Sequence, residues 1–330
     1  MTSPLALPIL DPDLEARLRT RMGEVEQALR GHVQSEADFV TVAARHLLEA
    51  GGKRFRPLLV LLAAETGDAD GDGVLTAACV VELTHLASLY HDDVMDEADL
   101  RRGAESANAR WDNHVAILTG DFLFSKSSEL TADLGADAVR VQAQTFSRLV
   151  EGQILETLGP TGEQDPLEHY LRVVAGKTGS LIATSARYGA RFSGAPRDIE
   201  EALTEYGEKV GVAFQLSDDL LDVASETAES GKTPGTDLRE GVPTLPVLIA
   251  RRSTDPADAR LLELLDSDLA DEALHAETLA LLRAHPAMAE ARAYVVALAG
   301  EAKSLLKVLP EGPVRTALEA FADVVATRSS

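Results

Sequence analysis

The chain has 330 residues, 45% of them hydrophobic and only 4% aromatic, with a formal net charge of −23. That length and apolar content suffice for one large domain with a substantial core, and scarce aromatics beside abundant Ala and Leu favour helices over sheets. So acidic a surface disfavours nucleic acid and anionic membranes as partners, and an anionic substrate would need local cations to bind at all.

An apolar period of 3.6 residues runs through nearly every segment. It predicts helices over 13–30, 36–50, 57–67, 74–96, 115–134, 137–158, 166–188, 198–224, 240–252, 257–283, 287–307 and 312–328. Met1 to Leu10 lacks the basic stretch and apolar core of a signal peptide. The longest apolar run, Leu58 to Ala64, is too short to span a bilayer. The single cysteine, Cys79, lies in an apolar helical run and reads as an inert core thiol of a reducing compartment. The expectation is a cytoplasmic protein without a transmembrane segment. Breakers such as Gly71-Asp72-Gly73, Gly159-Pro160 and Gly194-Ala195-Pro196 separate the helices. No alternating β-run, solenoid repeat or long linker stands out. The fold class expected is therefore all-α: a single domain over 1–330, built as a helical bundle with its site in the core.

In chain order, the first chemical signal is Gly51-Gly52-Lys53-Arg54-Phe55-Arg56-Pro57. It concentrates three cations where the backbone N–H groups of a helix start also face outward, which makes an anion site. The helix predicted over 74–96 ends in Asp92-Asp93-Val94-Met95-Asp96. Residues i and i+4 share a helix face, so Asp92 and Asp96 project together. Val81, His85 and Ser88 lie upstream on the same stripe, and Arg101-Arg102-Gly103 follows directly, supplying cations for phosphate oxygens. By itself His85 reads as a satisfied core histidine; its place two turns below Asp92 on this stripe makes a ligand contact an equal reading. Lys177-Thr178, in an otherwise apolar helical segment, reads either as a snorkelling lysine or as a ligand contact beside Gly176 and Gly179.

The helix over 198–224 ends in a second copy, Asp218-Asp219-Leu220-Leu221-Asp222, below which Gly211 and Gln215 continue the stripe. Just beyond it, Glu229 to Asp237 holds two glycines and a proline, with Lys232 placed to fold over a bound diphosphate. One Asp-Asp-x-x-Asp among 54 acidic residues is an ordinary solvated helix face. Two copies in apolar surroundings, with an arginine pair beside the first, are not. Clustered carboxylates repel unless a cation lies between them, and hard oxygen ligands suit Mg²⁺, which keeps waters and accepts substrate phosphates. Two such clusters would hold a diphosphate through bridging Mg²⁺.

Three Gly-Lys pairs fail the Walker A spacing, because the required earlier glycine falls on Leu47, Leu171 and Glu226. There is no Cys/His zinc cluster, nucleophile elbow or Rossmann fingerprint.

The runs Gly51 to Pro57, His91 to Gly103, Glu151-Gly152-Gln153, Gly176-Lys177-Thr178, Phe214 to Asp222 and Gly231 to Pro246 resemble the ordered motif set of trans-isoprenyl diphosphate synthases. The match covers about residues 51–250 and is nearest to bacterial long-chain polyprenyl diphosphate synthases. The resemblance implies an all-helical fold with a central active-site cavity, usually a homodimer, and Mg²⁺ as cofactor, three ions with substrate bound. It implies that Asp92, Asp96 and Asp218 bind the metal, supported by Asp93, Asp219 and Asp222. Arg101, Lys177, Thr178, Gln215 and Lys232 would hold the allylic diphosphate. Lys53, Arg56, His85 and Arg102 would hold isopentenyl diphosphate. One departure is Val242, where the family commonly has a lysine; Arg239 or Lys232 would have to substitute.

The implied reaction is ionisation of the allylic diphosphate, attack by the double bond of isopentenyl diphosphate, and proton loss, in a water-excluding apolar shaft. Short-product members usually carry an aromatic at one of the positions matching Ala87 and Ser88. Both are small here, so a product beyond twenty carbons is expected, with Phe146 as a candidate floor. Alternatives are a geranylgeranyl diphosphate synthase, a class I terpene cyclase and a non-catalytic subunit of a two-component synthase. The intact second cluster argues against the cyclase, and the full set of carboxylates against the subunit.

Overall fold

The computed structural model describes residues 9–225 and 234–327, and these are almost wholly helical. In chain order the helices are α1 (Pro12–His32), α2 (Asp38–Glu49), α3 (Phe55–Ala64), α4 (Val74–Met95), α5 (Ala107–Arg110), α6 (Asn113–Asp133), α7 (Ala136–Leu158), α8 (Pro166–Val174), α9 (Ser180–Phe192), α10 (Arg197–Ala224), α11 (Thr236–Arg239), α12 (Leu245–Ala250), α13 (Ala259–Leu265), α14 (Glu272–Ala284), α15 (Pro286–Leu305) and α16 (Pro313–Thr327). Side-chain caps start several of them. Asp11 and Asp165 accept from backbone N–H groups of α1 and α8 with a proline at the first turn of each, and Asp271 caps α14 without one.

The structure departs from the periodic reading at several places, among them the short helices α5 and α11, which it did not include. The expected helix over 166–188 is broken by a π-helical turn, Ala175–Gly179, between α8 and α9. The expected helix over 257–283 is divided at Ser267–Asp271, where the Asp271 cap begins α14. The expected start at 240 is delayed to Leu245, because Gly241 takes φ 73° and Pro243 follows. A two-residue antiparallel hairpin also forms, pairing Leu100 with Glu105 and Arg101 with Ala104. Its turn uses Arg102 at φ 55° and Gly103 at φ 77°.

Two compact units are present. One comprises the chain up to Phe146 together with Leu181–Gly207 and Leu306–Ala320; the other comprises Ser147–Ser180, Glu208–Leu305 and the chain from Phe321 onward. In the first, α4 is the core helix: Ala77 to Leu83 are fully buried or nearly so, and α3 and α6 pack against it. By length and composition α4 is apolar enough to cross a membrane, but 67% of its most apolar window is buried inside the fold, so its hydrophobicity is already used in packing. Cys79 lies in this core, fully buried, and burial pushes its thiol up to about 12, which makes it inert as expected. In the second unit, α12 packs on α8, α14 and α15.

Candidate active site

In the first unit, the last turn of α4 carries Asp92, Asp93 and Asp96. Their environments differ. Asp93 is fully buried and ion-paired with Arg101, with 2.6 Å from Nε and 2.5 Å from Nη2 to Oδ1. Burial pushes its carboxyl up and Arg101 pulls it back. Its other oxygen, Oδ2, is buried without a hydrogen-bond partner. Asp96 is exposed and Asp92 half-buried. The hairpin that follows α4 is what brings Arg101 back over Asp93, which explains why the arginine pair comes so soon after the acidic run.

The same unit holds the loop before α3. Of its three cations, Lys53 is exposed and Arg56 half-buried; Arg54 is 7% exposed and turned into the fold against Glu26 and Glu82. Arg56 has a buried Nε with no partner, and burial together with neighbouring Arg102 brings its guanidinium down to about 10. Arg102 donates to Leu47 O at 3.1 Å and to Gly51 O, and its guanidinium lies over Gly52. A side chain at position 52 would sit 2.8 Å from Arg102 Cζ, the flexible end of that side chain, but it is the φ of 134° that calls for glycine here. His85 faces this cluster: burial first, then Arg56, Arg102, Arg54 and Arg101, hold its imidazole well below 6.5 and keep it neutral. A neutral ring among four guanidiniums is set to donate or accept a hydrogen bond, not to add charge.

On α4, Ala87 is fully buried and Ser88 half-buried, its hydroxyl donating to His85 O at 2.8 Å. Phe146 is half-buried and tilts against Phe124 at 4.5 Å between ring centroids, with His91 5.6 Å beyond Phe124. One turn earlier on α7, Gln142 donates to Thr84 at 2.7 Å, and Thr84 bonds Ser127 at 2.8 Å. This buried polar layer was not visible from the sequence pattern.

In the second unit, α10 carries Gln215, Asp218, Asp219 and Asp222. A continuous chain of hydrogen bonds links Gln215 and Asp219 to the π-helical turn. Thr178 Oγ1 donates to Gln215 Oε1 at 3.0 Å, Gln215 Nε2 donates to Asp219 Oδ1 at 2.9 Å, and Tyr170 OH donates to Asp219 Oδ2. Asp219 is 6% exposed, and burial raises its carboxyl to about 6 despite the two donors. Asp222 accepts from Thr236 N at 3.2 Å and Asp237 N at 3.0 Å, so it caps α11. Arg283 and His275 of α14 bond the carbonyls of Val223 and Gly235 at 2.7 and 2.8 Å.

Lys177 projects from the π-helical turn and pairs with Glu156 at 2.5 Å. The turn lies hard against α7: a Cβ on Gly152 would be 2.6 Å from Lys177 N, and one on Gly176 would be 2.8 Å from Arg148 O. This explains the Glu-Gly-Gln motif as a close helix crossing that seats a π-bulge, a device common at functional sites. Lys232 lies outside the described residues. Val242 is 37% exposed on the rim of a pocket of about 240 Å³ that Arg239, Arg251 and Asp268 also line, and Arg239 pairs with Glu272 at 3.3 Å.

Tyr170, Glu82, Arg54 in its inward role, Glu156, His275 and Arg283 are the residues that sequence reasoning missed. Tyr170 left one trace, falling one helical heptad before Lys177.

Among the described residues no three acidic, histidine or cysteine side chains converge into a preformed metal cage. Mg²⁺ does not need one, since it binds through one or two carboxylates with waters and substrate phosphates. The all-oxygen donor set and the unpartnered buried oxygen of Asp93 fit that ion.

The chain is similar to known proteins over nearly its whole length. The chain is 48% identical over 319 residues to a nonaprenyl diphosphate synthase of Mycobacterium tuberculosis, covering 96% of this chain and 95% of that protein. Its fold matches a geranylgeranyl pyrophosphate synthase from Corynebacterium glutamicum, complexed with calcium and isoprenyl diphosphate, with a TM-score of 0.88 and 45% identity over 98% of this chain and 99% of that one. A decaprenyl diphosphate synthase from Rhodobacter capsulatus matches with a TM-score of 0.86 and 35% identity, over 96% and 99% of the two chains. The polyprenyl synthetase family model matches residues 37–282. The chain, whose two Asp-Asp-x-x-Asp runs and Gly-Gly-Lys loop fall within that match, belongs to the polyprenyl synthetase family.

Proposed function

We propose that this chain condenses isopentenyl diphosphate head-to-tail with an allylic diphosphate to give a long-chain trans-polyprenyl diphosphate. The observation that carries this is the pair of complete aspartate clusters, each at a helix end with its middle carboxylate buried and tied down beside Asp92 and Asp96 in one and Asp218 in the other. Asp92, Asp96 and Asp218 are then the Mg²⁺ ligands. Bound Mg²⁺ supplies Lewis-acid stabilisation of the charge that builds on the departing diphosphate.

The chain's own groups do the rest. Arg101, Lys177, Thr178 and Gln215 orient the allylic diphosphate, with Lys232 or Arg239 substituting for the lysine that Val242 replaces. Lys53, Arg56 and Arg102 hold the diphosphate of isopentenyl diphosphate, and neutral His85 hydrogen-bonds it. Ionisation of the allylic C–O bond, attack by the isopentenyl double bond and loss of a proton to the released pyrophosphate need no side-chain nucleophile. The apolar wall below Asp92 excludes water from the cation.

Support for a long product comes from the small residues at Ala87 and Ser88 and from the nonaprenyl relative. The second reading, a twenty-carbon product, is favoured by the structural likeness to the geranylgeranyl pyrophosphate synthase. A homodimer and a cytoplasmic location complete the proposal. The test is purified protein with Mg²⁺, isopentenyl diphosphate and farnesyl diphosphate, followed by chain-length analysis of the product. No elongation at all would overturn the reading, and arrest at twenty carbons would select the second.

A further inference from the structure

We infer that Arg54 is a positioning residue for the isopentenyl diphosphate site: a buried latch, closed on Glu82 and Glu26, that sets the direction of Lys53 and Arg56. The inference rests on the reading of those two cations as that site. Arg54 is the residue just before α3, and its carbonyl accepts the first helical bond, from Leu58 N at 3.0 Å. It adopts the left-handed conformation, φ 47° and ψ 40°, which a side chain makes costly unless neighbours impose it. Here they do. The guanidinium donates to Glu26 Oε1 at 2.5 Å, Glu82 Oε1 at 3.0 Å, Leu48 O at 2.6 Å and Gly51 O at 3.2 Å. Five N–H donors in a fixed fork allow one side chain to reach four acceptors, which lysine cannot do.

The consequence is geometric. Lys53 precedes Arg54 and Arg56 follows it by two, so the backbone at 54 fixes how both leave the loop. Gly51 O is shared, accepting from Arg54 and from Arg102, so the loop is held from both sides. Glu82, 1% exposed on α4, is also the buried anion that offsets the crowding of Arg54, Arg56 and Arg102. Arg56 retains a buried Nε without a partner, the donor that an incoming diphosphate would satisfy.

The test uses two variants and two readouts. Arg54→Lys keeps the charge and loses the fork. Arg54→Met/Glu82→Leu removes one cation and one anion together and replaces them with apolar groups of similar size, so the net charge around Arg56 and Arg102 is unchanged; Glu26, with a side chain 30% exposed, stays in contact with water. Isopentenyl diphosphate is titrated into metal-free protein, which reads the site without turnover. Affinity should fall about 10-fold in Arg54→Lys and about 100-fold in the double variant, the scale of an ångström misplacement. The KM for farnesyl diphosphate and kcat at saturating isopentenyl diphosphate should stay within about twofold of wild type, and the double variant should melt close to wild type. A double variant that binds isopentenyl diphosphate like wild type overturns the inference. So does a parallel loss of melting temperature and of both substrate affinities, which is the mark of a structural role alone. A wild type that does not bind isopentenyl diphosphate overturns the substrate reading itself.

Discussion

In Asp92–Asp96 the middle carboxylate, Asp93, is buried against the Arg101 guanidinium; in Asp218–Asp222 its counterpart, Asp219, is as deeply buried but is held by the neutral donors Tyr170 and Gln215. The third members diverge too. Asp96 is exposed, whereas Asp222 accepts two backbone N–H groups at the start of α11. One spelling has therefore been folded into two electrostatic designs. Burial raises both carboxyls: Asp93 despite Arg101, and Asp219 to about 6 despite the hydrogen bonds from Tyr170 and Gln215. The first cluster carries a resident counter-charge in Arg101, while the second holds its buried carboxylate with the neutral donors Tyr170 and Gln215.

The comparison breaks most directly at the outer carboxylates. If the clusters serve one metal-held leaving group, Asp92→Ala and Asp218→Ala should each lower kcat by ~10³-fold or more, since metal stabilisation of the leaving group contributes several kcal/mol. Circular dichroism should show both variants folded. Near-wild-type turnover in one of them would make that cluster dispensable.

Stability sharpens the contrast at the next level. Arg101→Ala leaves the Asp93 carboxylate buried without its partner, which should cost roughly 3 kcal/mol in denaturant unfolding. Tyr170→Phe removes one hydrogen bond from Asp219 while Gln215 remains, and should cost about 1–2 kcal/mol. The reverse order would mean that the cation contributes less than the neutral donors.

Product length examines the helix below the first cluster. Ser88→Phe and Ala87→Tyr should shorten the product toward fifteen or twenty carbons, because a helical turn rises about 5.4 Å, roughly one extended isoprenyl unit. Phe146→Ala should lengthen it, read by thin-layer chromatography of the dephosphorylated products. Ser88 is the cleaner position, since Ala87 is fully buried and an aromatic there must also displace its neighbours. Unchanged length in all three would place the floor elsewhere.

The smallest effect is a pH dependence confined to the cation-rich region. His85 has its folded pKa held below 6.5 by burial and by Arg56, Arg102, Arg54 and Arg101. A depressed pKa contributes stability that is present above the unfolded value and lost as pH falls through the folded one. Wild type should therefore lose stability relative to His85→Gln as pH is lowered from 7.5 to below 6.5, and the two should run parallel above it. Parallel curves down to pH 5 would show that His85 titrates normally.

The helices, and the two acidic runs at the ends of α4 and α10, were legible because apolar period and i, i+4 spacing are local properties of a chain. The cations of 51–57 and 101–102 were legible for the same reason, as residue types close in sequence. Local pattern could not say which of them are turned inward. Arg54 reads as one more loop cation until Glu26 and Glu82, from two other helices, are brought to it. Tyr170 and Asp219 are 49 residues apart, and only packing makes them one hydrogen bond. The π-helical turn at Ala175–Gly179 breaks a periodic pattern that continues on both sides of it, because the close crossing of Gly152 and Gly176 is a tertiary contact. Sequence by itself determined the elements and the inventory of charged groups; the tertiary structure decided which charges are buried, with which partners, and so which remain to meet a substrate, because desolvation and pairing depend on neighbours distant in the chain.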